Sequence, residues 1–210
     1  MTLKLNGSSS GSVSIDAPAS TTGGADVTLT LPVDDGDNGE VLKTNGSGVL
    51  SWSSSGGILQ VGSTTKTDVF STTSTSFVDI TGFSVNITPS SSSNKILVTG
   101  LVTYGGSDAQ AYSYTFKLMR DSTDICIHDT AGSRTRATFG TQGFGTNDST
   151  NTSAINFLDS PSTTSQITYK VQARAESPKT LYVNRGAESD GDNAISPRFT
   201  STITVMEVAG

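Results

Sequence analysis

The amino-acid sequence predicts an all-β protein in which a short intertwined N-terminal β segment precedes an antiparallel jelly-roll β-sandwich. The first observation is composition: the 210 residues include 22 Gly, and only 33% are hydrophobic and 15% charged, which is typical of strands with faces rich in Ser and Thr. The second is the strict alternation of apolar and polar residues over 83–88, the period of a half-buried strand. The third is the regular spacing of turns rich in Gly, Ser and Pro.

The chain divides at residues 53–57, SSSGG, whose composition is that of a flexible linker. We therefore expect an N-terminal segment over residues 1–57 and a C-terminal jelly-roll domain over residues 58–210. A chain of this length has room for one good-sized β-domain and something smaller.

Three alternating stretches lie in the N-terminal segment, at residues 1–7, 12–18 and 26–32. Each is too short and too poor in apolar groups to bury a core within one chain. We therefore expect several copies to wrap around one another and to share an apolar axis. The residues assigned to this axis and to attachment are Leu3, Leu5, Val13, Ile15, Val27, Leu29, Leu31 and Trp52.

A β-hairpin is predicted near residues 41–52, with strands at 41–44 and 49–52 and the turn NGSG between them. Glycine supplies the positive φ angles that such a turn requires. Trp52, the only tryptophan, is expected to cover the apolar side of the hairpin. The pattern LP…DG…GEVLKTNGSGVLSW resembles a short module of bacteriophage tail fibres and related virion fibres.

The C-terminal domain is predicted to contain about eight to ten strands, as in a jelly roll. Residues 83–88 and 95–104 are expected to form one antiparallel unit, because only Pro89 and a short serine-rich loop separate them. The second of these is more continuously apolar, which indicates burial on both faces. Further strands are expected near residues 58–61, 77–80, 112–120, 125–128, 136–139, 154–158, 166–175, 180–184 and 200–208.

Several motifs of this domain, FVDITGF, FLDSP, TYKVQ, LYVNR and STITVMEV, resemble C-terminal domains of phage fibre-type proteins. Such domains form trimers with a shape like the tumour-necrosis-factor and complement-C1q heads. The resemblance therefore implies a homotrimer.

Charge and hydropathy argue against several classes of partner. A net charge of −6 and a pI near 4.6 disfavour nucleic acid and acidic membranes, which attract basic patches. The basic pair Arg134 and Arg136 is interpreted as part of a solvated loop. No apolar run reaches membrane-spanning length, and the N-terminus lacks the features of a secretory signal, so we expect synthesis in a cytoplasm and no membrane insertion. Cys126 is the only cysteine and is expected to be a small buried hydrophobe.

Candidate chemistry is sparse, and neither a catalytic residue nor a cofactor is expected. The acidic stretch 34–40 offers a weak calcium candidate at Asp35 and Asp37, although the EF-hand spacing is not met and a solvated acidic turn is the default interpretation. His128 stands without a nucleophile motif. The glycine-rich stretch 140–147 is interpreted as a mobile surface loop, since it lacks the lysine of a phosphate loop.

Four residues are the candidates for ligand binding. Tyr112 and Tyr114 lie on one strand face, where exposed tyrosines would contact sugar or protein, although the sandwich core or a subunit interface is the favoured interpretation. Asp190 and Asp192 belong to a polar loop that could present hydrogen-bonding groups at the tip of a trimer.

These features together predict a structural and adhesive virion protein of a bacteriophage, assembled in the host cytoplasm. As a homotrimeric tail fibre, it would attach to other virion proteins through its N-terminus and contact a host cell-surface glycan or protein with its C-terminal head. A head fibre or capsid decoration protein is the alternative. A glycan-degrading enzyme is a third reading, because paired carboxylates cannot be recognised from sequence alone.

Overall fold

The structure, a computed structural model, describes residues 3–6, 12–15, 21, 24–37, 39–54, 57–107, 112–144, 149–176, 179–187 and 196–210. These residues contain β-strands and no α-helix, which confirms the all-β class. The contacts divide the chain into two compact units, residues 1–55 and 56–210. The strands are β1 (Leu3–Asn6), β2 (Ser12–Ile15), β3 (Glu40–Thr44), β4 (Leu50–Ser54), β5 (Ile58–Lys66), β6 (Phe70–Thr72), β7 (Val78–Ile87), β8 (Lys95–Gly106), β9 (Ser113–Arg120), β10 (Thr123–Ile125), β11 (Phe139–Gln142), β12 (Thr150–Asp159), β13 (Ile167–Ala175), β14 (Leu181–Val183) and β15 (Ser201–Val208).

The first unit contains two antiparallel strand pairs, β1 with β2 and β3 with β4. In the second pair Leu42 lies opposite Trp52, and Gly46 takes the positive φ of 84° that closes the turn. The expected third alternating strand at 26–32 is wrong. Within residues 26–32, all of which the structure describes, only Thr30 forms a β-bridge, and its partner is Val49. The amide of Thr30 donates a hydrogen bond to the carbonyl of Gly48, and its carbonyl accepts one from the amide of Leu50.

The second unit is a sandwich of two antiparallel sheets, which we call sheet I and sheet II. Sheet I has the order β5–β15–β8–β14–β6, and β12 also pairs with β8. Sheet II has the order β10–β9–β13–β7, with β11 also paired to β9. Successive long strands β7, β8 and β9, and later β12, β13 and β15, alternate between the sheets. This alternation is the wrapping of a jelly roll.

The expected pairing of β7 with β8 is therefore wrong. β7 pairs with β13 in sheet II, whereas β8 pairs with β12, β14 and β15 in sheet I. The short loop at 88–94 carries the chain across the sandwich rather than back along one sheet. Alternation in sequence identifies a strand and its buried face, but it contains no information about the neighbouring strand.

β7 is one strand where the sequence indicated two segments. It accommodates Gly82, at φ 72°, by a register shift opposite Lys170 and Gln172 of β13. The carbonyl of Thr81 in this irregularity accepts a hydrogen bond of 2.8 Å from the ammonium of Lys66, whose side chain is buried. A bulge thus leaves a main-chain acceptor that the opposite sheet satisfies.

Three local expectations are also corrected. β8 is buried on both faces only over residues 102–106, because its first half alternates and leaves Leu101 half exposed. Residues 140–142, expected in a loop, belong to β11 and pair with β9. Cys126 is exposed rather than buried, because β10 ends at Ile125 and the chain turns through Cys126 at a φ of 51°.

The core of the sandwich is aromatic at one end. Tyr104 and Phe116 have ring centroids 4.6 Å apart, and Phe116 stacks on Phe139 at 4.8 Å. Aliphatic side chains from both sheets fill the remainder, among them Ile96, Val98, Leu118, Val171, Ile203 and Val205. A few large rings bury much apolar area, so a chain of low hydrophobic content still builds a continuous core.

Candidate functional site

The outer face of sheet I carries a row of four apolar side chains, one from each of four neighbouring strands. The strand register places Val61, Met206, Leu97 and Leu158 side by side across β5, β15, β8 and β12. Val61 is 60% and Leu158 48% exposed, and the other two are half-buried. We call these four residues the apolar row. Single exposed apolar residues are ordinary, whereas a continuous set marks a surface that can be covered.

The first unit exposes its predicted axis residues. Val27, Leu29 and Leu31 are 68%, 59% and 70% exposed in the single chain. The other predicted axis residues lie in β1 and β2, where Leu3 pairs with Ile15 and Leu5 with Val13, and their side chains are outside what the structure describes. The described apolar groups of this unit thus have little cover from their own chain.

An acidic cleft of about 560 Å³ lies in the first unit beside the indole of Trp52. The indole nitrogen donates a hydrogen bond of 2.9 Å to the carbonyl of Asp34, which fixes one wall. The Glu40 carboxylate accepts a hydrogen bond of 2.7 Å from the amide of Asp37. Within the described residues no group of three or more His, Cys, Asp or Glu is placed to hold a metal ion, and the calcium candidates Asp35 and Asp37 therefore belong to no such group.

The two candidate tyrosines occupy different environments. Tyr114 is fully buried and packs against Phe144 at 5.1 Å, so its ring has no surface to offer a ligand. Tyr112 is half-buried against the core, with the ammonium of Lys179 4.7 Å from its ring centroid. Tyr114 is therefore a residue of the sandwich core, which is one of the two interpretations that the sequence favoured. Asp190 and Asp192 lie outside the described residues.

A polar cleft of about 420 Å³ lies in the second unit, on the outer face of sheet II. Side chains of β9, β11 and β13 line it together with the loop that follows β10. Its arginines are Arg134, from that loop, and Arg174, from β13. Sequence analysis missed this site because the two residues are far apart in the chain and only the tertiary structure places them around one cleft. Arg134 taken alone has the pattern of an ordinary solvated loop.

Two buried carboxylates serve the fold. Asp159 accepts hydrogen bonds from the guanidinium of Arg120 and, at 2.7 Å, from the hydroxyl of Tyr169. Burial and this bond to a carboxylate both raise the pKa of Tyr169. Glu207 is fully buried; burial alone would raise its pKa, but hydrogen bonds from Asn94, Gln60 and Ser90 outweigh that effect and hold the pKa below its ordinary value. Both groups connect strands and loops within the sandwich.

The described residues include no helix with the length and apolar character needed to cross a membrane. No protein-family model and no curated protein matches the chain.

Three solved structures of infectious bursal disease virus are similar to this chain. The Gx strain structure is 15% identical with a TM-score of 0.36, over 76% of this chain and 40% of that chain. The Gt strain structure is 15% identical with a TM-score of 0.38, over 98% and 46%. The VP2 subviral particle is 17% identical with a TM-score of 0.34, over 76% and 40%. This chain thus spans less than half the length of those chains, and TM-scores below 0.5 indicate nothing about its function.

Proposed function

We propose that the protein is a structural and adhesive component of a bacteriophage virion, a homotrimeric tail fibre assembled in the host cytoplasm. Its N-terminal segment attaches to other virion proteins, and its C-terminal sandwich contacts a glycan or protein of the host surface. It performs no catalysis in this role. The function is to hold several identical weak sites together.

The apolar row is the observation that carries the proposal. Four aligned side chains on one sheet face gain free energy when they are covered, at roughly 25 cal/mol per Å² of apolar surface removed from water. Identical copies arranged about a symmetry axis present identical apolar rows. The rows of neighbouring copies can therefore cover one another in a closed assembly. The resemblance of the domain to fibre heads selects a trimer among the possible closed assemblies.

The first unit supports the same arrangement independently. Val27, Leu29 and Leu31 are more than half exposed in the single chain, although they belong to an alternating sequence that is typical of a buried face. Copies of the segment wrapped around one axis would cover them. The hairpin of β3 and β4 carries the pattern that resembles the virion-fibre module.

Multivalency explains how a protein of this kind adheres. One shallow polar site binds weakly, whereas three sites held in fixed geometry gain avidity of about 10²- to 10⁴-fold without new contacts. A Ser- and Thr-rich surface offers many hydroxyl groups and little charge, which favours such weak polar contacts over one tight site.

Light scattering of the purified protein is the first test. We expect a mass about three times the chain mass of 21.7 kDa. A monomer with an ordered N-terminal segment would overturn the homotrimer and the shared axis together.

Binding assays then separate the roles. Adhesion to host cells without binding to empty capsids supports the tail fibre, whereas the reverse result supports a head fibre or decoration protein. Turnover of host glycan by the purified protein, abolished by a single Asp or Glu substitution, would replace the adhesive function with an enzymatic one.

A further inference from the structure

The polar cleft on sheet II is built on a regular part of the fold. Ser113 and Thr115 of β9 point away from the core, because Tyr114 between them is fully buried. Gln142 lies opposite Ser113, and Arg174 lies opposite Thr115. These four side chains therefore share the outer face of three adjacent strands. The loop between β10 and β11 adds Arg134 and Thr135.

The cleft contains two guanidinium groups, and neither forms an ion pair within the described part of the chain. Arg174 donates one hydrogen bond, of 2.7 Å, to the carbonyl of Thr75, and Arg134 donates one, of 3.4 Å, to the carbonyl of Ala131. The ion pairs among the described residues involve Lys66, Lys117, Arg120 and Lys170 instead. A guanidinium has five N–H donors, so most donors of both arginines have no acceptor among the described residues. Paired arginines recognise carboxylates and phosphates.

The same cleft also contains a carboxylate, which would repel a bare anion. Glu176 lines it, and the amide of Ser113 donates a hydrogen bond of 2.8 Å that fixes one oxygen of its carboxylate. A carboxylate repels a simple anion but accepts hydrogen bonds from hydroxyl groups. The combination of two arginines and a carboxylate therefore favours a ligand that carries both an anionic group and hydroxyl donors.

We infer that this cleft binds an acidic saccharide, a sugar unit that carries a carboxylate. The guanidinium groups of Arg134 and Arg174 bind the carboxylate, and the Glu176 carboxylate accepts a hydrogen bond from a hydroxyl group of the ring. The volume falls within the roughly 300–1,000 Å³ of small-ligand sites. The inference rests on the proposed adhesive function and names the class of surface polymer that the sandwich contacts.

The test is titration calorimetry of the full-length protein with tetragalacturonate, and with a neutral oligosaccharide of equal length. We expect weak binding to the acidic probe and none to the neutral one. Arg134→Gln and Arg174→Gln should each lower the affinity at least tenfold. Arg136→Gln is the matched control, because Arg136 belongs to the same loop but does not line this cleft, and it should leave the affinity unchanged.

Glu176→Gln separates a sugar site from a general anion site. At a saccharide site the substitution weakens tetragalacturonate binding severalfold, whereas stronger binding of the probe would overturn the inference. Inorganic phosphate should compete poorly, and competition as effective as that of the sugar would also overturn it. Circular dichroism melting establishes that each variant is folded, and unchanged affinity in a folded Arg134→Gln, Arg174→Gln double variant would refute the site.

Host-cell adhesion of the same variants distinguishes failure of the saccharide cleft from failure of the proposed adhesive function. Loss of adhesion in the double variant supports both. Equal adhesion of the double variant and the parent protein refutes the cleft and preserves the adhesive function. Binding of tetragalacturonate without any adhesion to host cells supports the cleft and refutes the adhesive function.

Discussion

The side-chain amide of Asn94 donates a hydrogen bond of 2.6 Å to the carboxylate of Glu207, which lies in the last strand of the sandwich and is fully buried. Ser90 donates two further bonds to the same carboxylate, from its amide at 2.7 Å and its hydroxyl at 2.8 Å. The loop that carries the chain from sheet II to sheet I is thus fixed to the final strand. A buried charge is tolerated here because several donors replace its lost hydration.

Replacing Glu207 with Gln should destabilise the sandwich by roughly 2–3 kcal/mol, since hydrogen bonds to a charged group are lost and buried donors remain. The measurement is urea unfolding at pH 7. Asp129→Asn, which alters an exposed carboxylate, is the control and should change stability little. Equal midpoints for Glu207→Gln and the parent protein would contradict the role of this carboxylate.

The lowered pKa of Glu207 also predicts that the stability of the sandwich depends on pH. Its folded pKa lies below its ordinary value of 4.5, so the unfolded state binds the proton first. The contribution to the free energy of unfolding is therefore complete above pH 4.5 and is lost as the pH falls through the folded pKa. Unfolding at pH 7 and pH 3.5 should show a smaller loss for Glu207→Gln than for the parent protein. A parallel loss in both proteins would assign the acid sensitivity to other groups.

Charge in the apolar row should dissociate the assembly without unfolding the chain. Val61 and Leu158 are about half exposed or more in the single chain, so Val61→Asp with Leu158→Asp removes little core packing. Buried between copies, two carboxylates per chain would be strongly unfavourable. Light scattering should then report a single-chain mass. Ser84→Asp, on the outer face of sheet II, adds a similar charge elsewhere and should leave the mass unchanged.

Gly36 lies against the ring of Trp52, and this contact gives a local test of the first unit. A Cβ at Gly36 would approach the ring to 2.6 Å, at a φ of 69°. Gly36→Ala should therefore displace the indole and shift the emission of the only tryptophan. Gly39→Ala is the control, because it has a φ of 92° and no atom within 4 Å, and therefore tests backbone strain alone. That strain costs roughly 1–2 kcal/mol, and equal emission spectra for both variants would contradict the ring contact.

Tyr169 should remain protonated in the folded protein at pH values where an ordinary tyrosine ionises, because burial and the Asp159 carboxylate raise its pKa. Its contribution to stability is complete below the unfolded pKa of 10.0 and decreases as the pH rises above that value. Tyr169→Phe should cost about 1–2 kcal/mol at pH 7, because the Asp159 carboxylate loses one of its hydrogen bonds. It should also leave the phenolate absorbance of the folded protein at pH 11 unchanged. A decrease in that absorbance would show that Tyr169 titrates normally.

Sequence patterns located most strands but not their partners. The alternation in residues 83–87 reports which side chains face inward, and the structure buries Phe83, Val85 and Ile87 as that pattern indicates. The same alternation is compatible with pairing to β8 or to β13. The choice depends on which strand closes the sandwich, and no local pattern encodes that.

The candidate sites also divide into those that a local sequence pattern indicates and those that only the tertiary structure assembles. Exposed Val27, Leu29 and Leu31 belong to an alternating stretch whose need for cover is visible in the sequence. The apolar row could not be predicted from the sequence, because its four residues come from four strands and become neighbours only through the strand register. The polar cleft was missed for the same reason, since Arg134 in a loop and Arg174 in β13 line one cleft only in the folded chain.

The sequence by itself determined the all-β class, the positions of most strands and the shortage of apolar groups. These properties depend on residue types and on their period of two along the chain. The tertiary structure alone decided the strand order, the burial of Glu207 and Tyr114, and the assembly of the apolar row and the polar cleft. Each of these depends on contacts between distant segments, which form because the two sheets must cover each other's apolar faces.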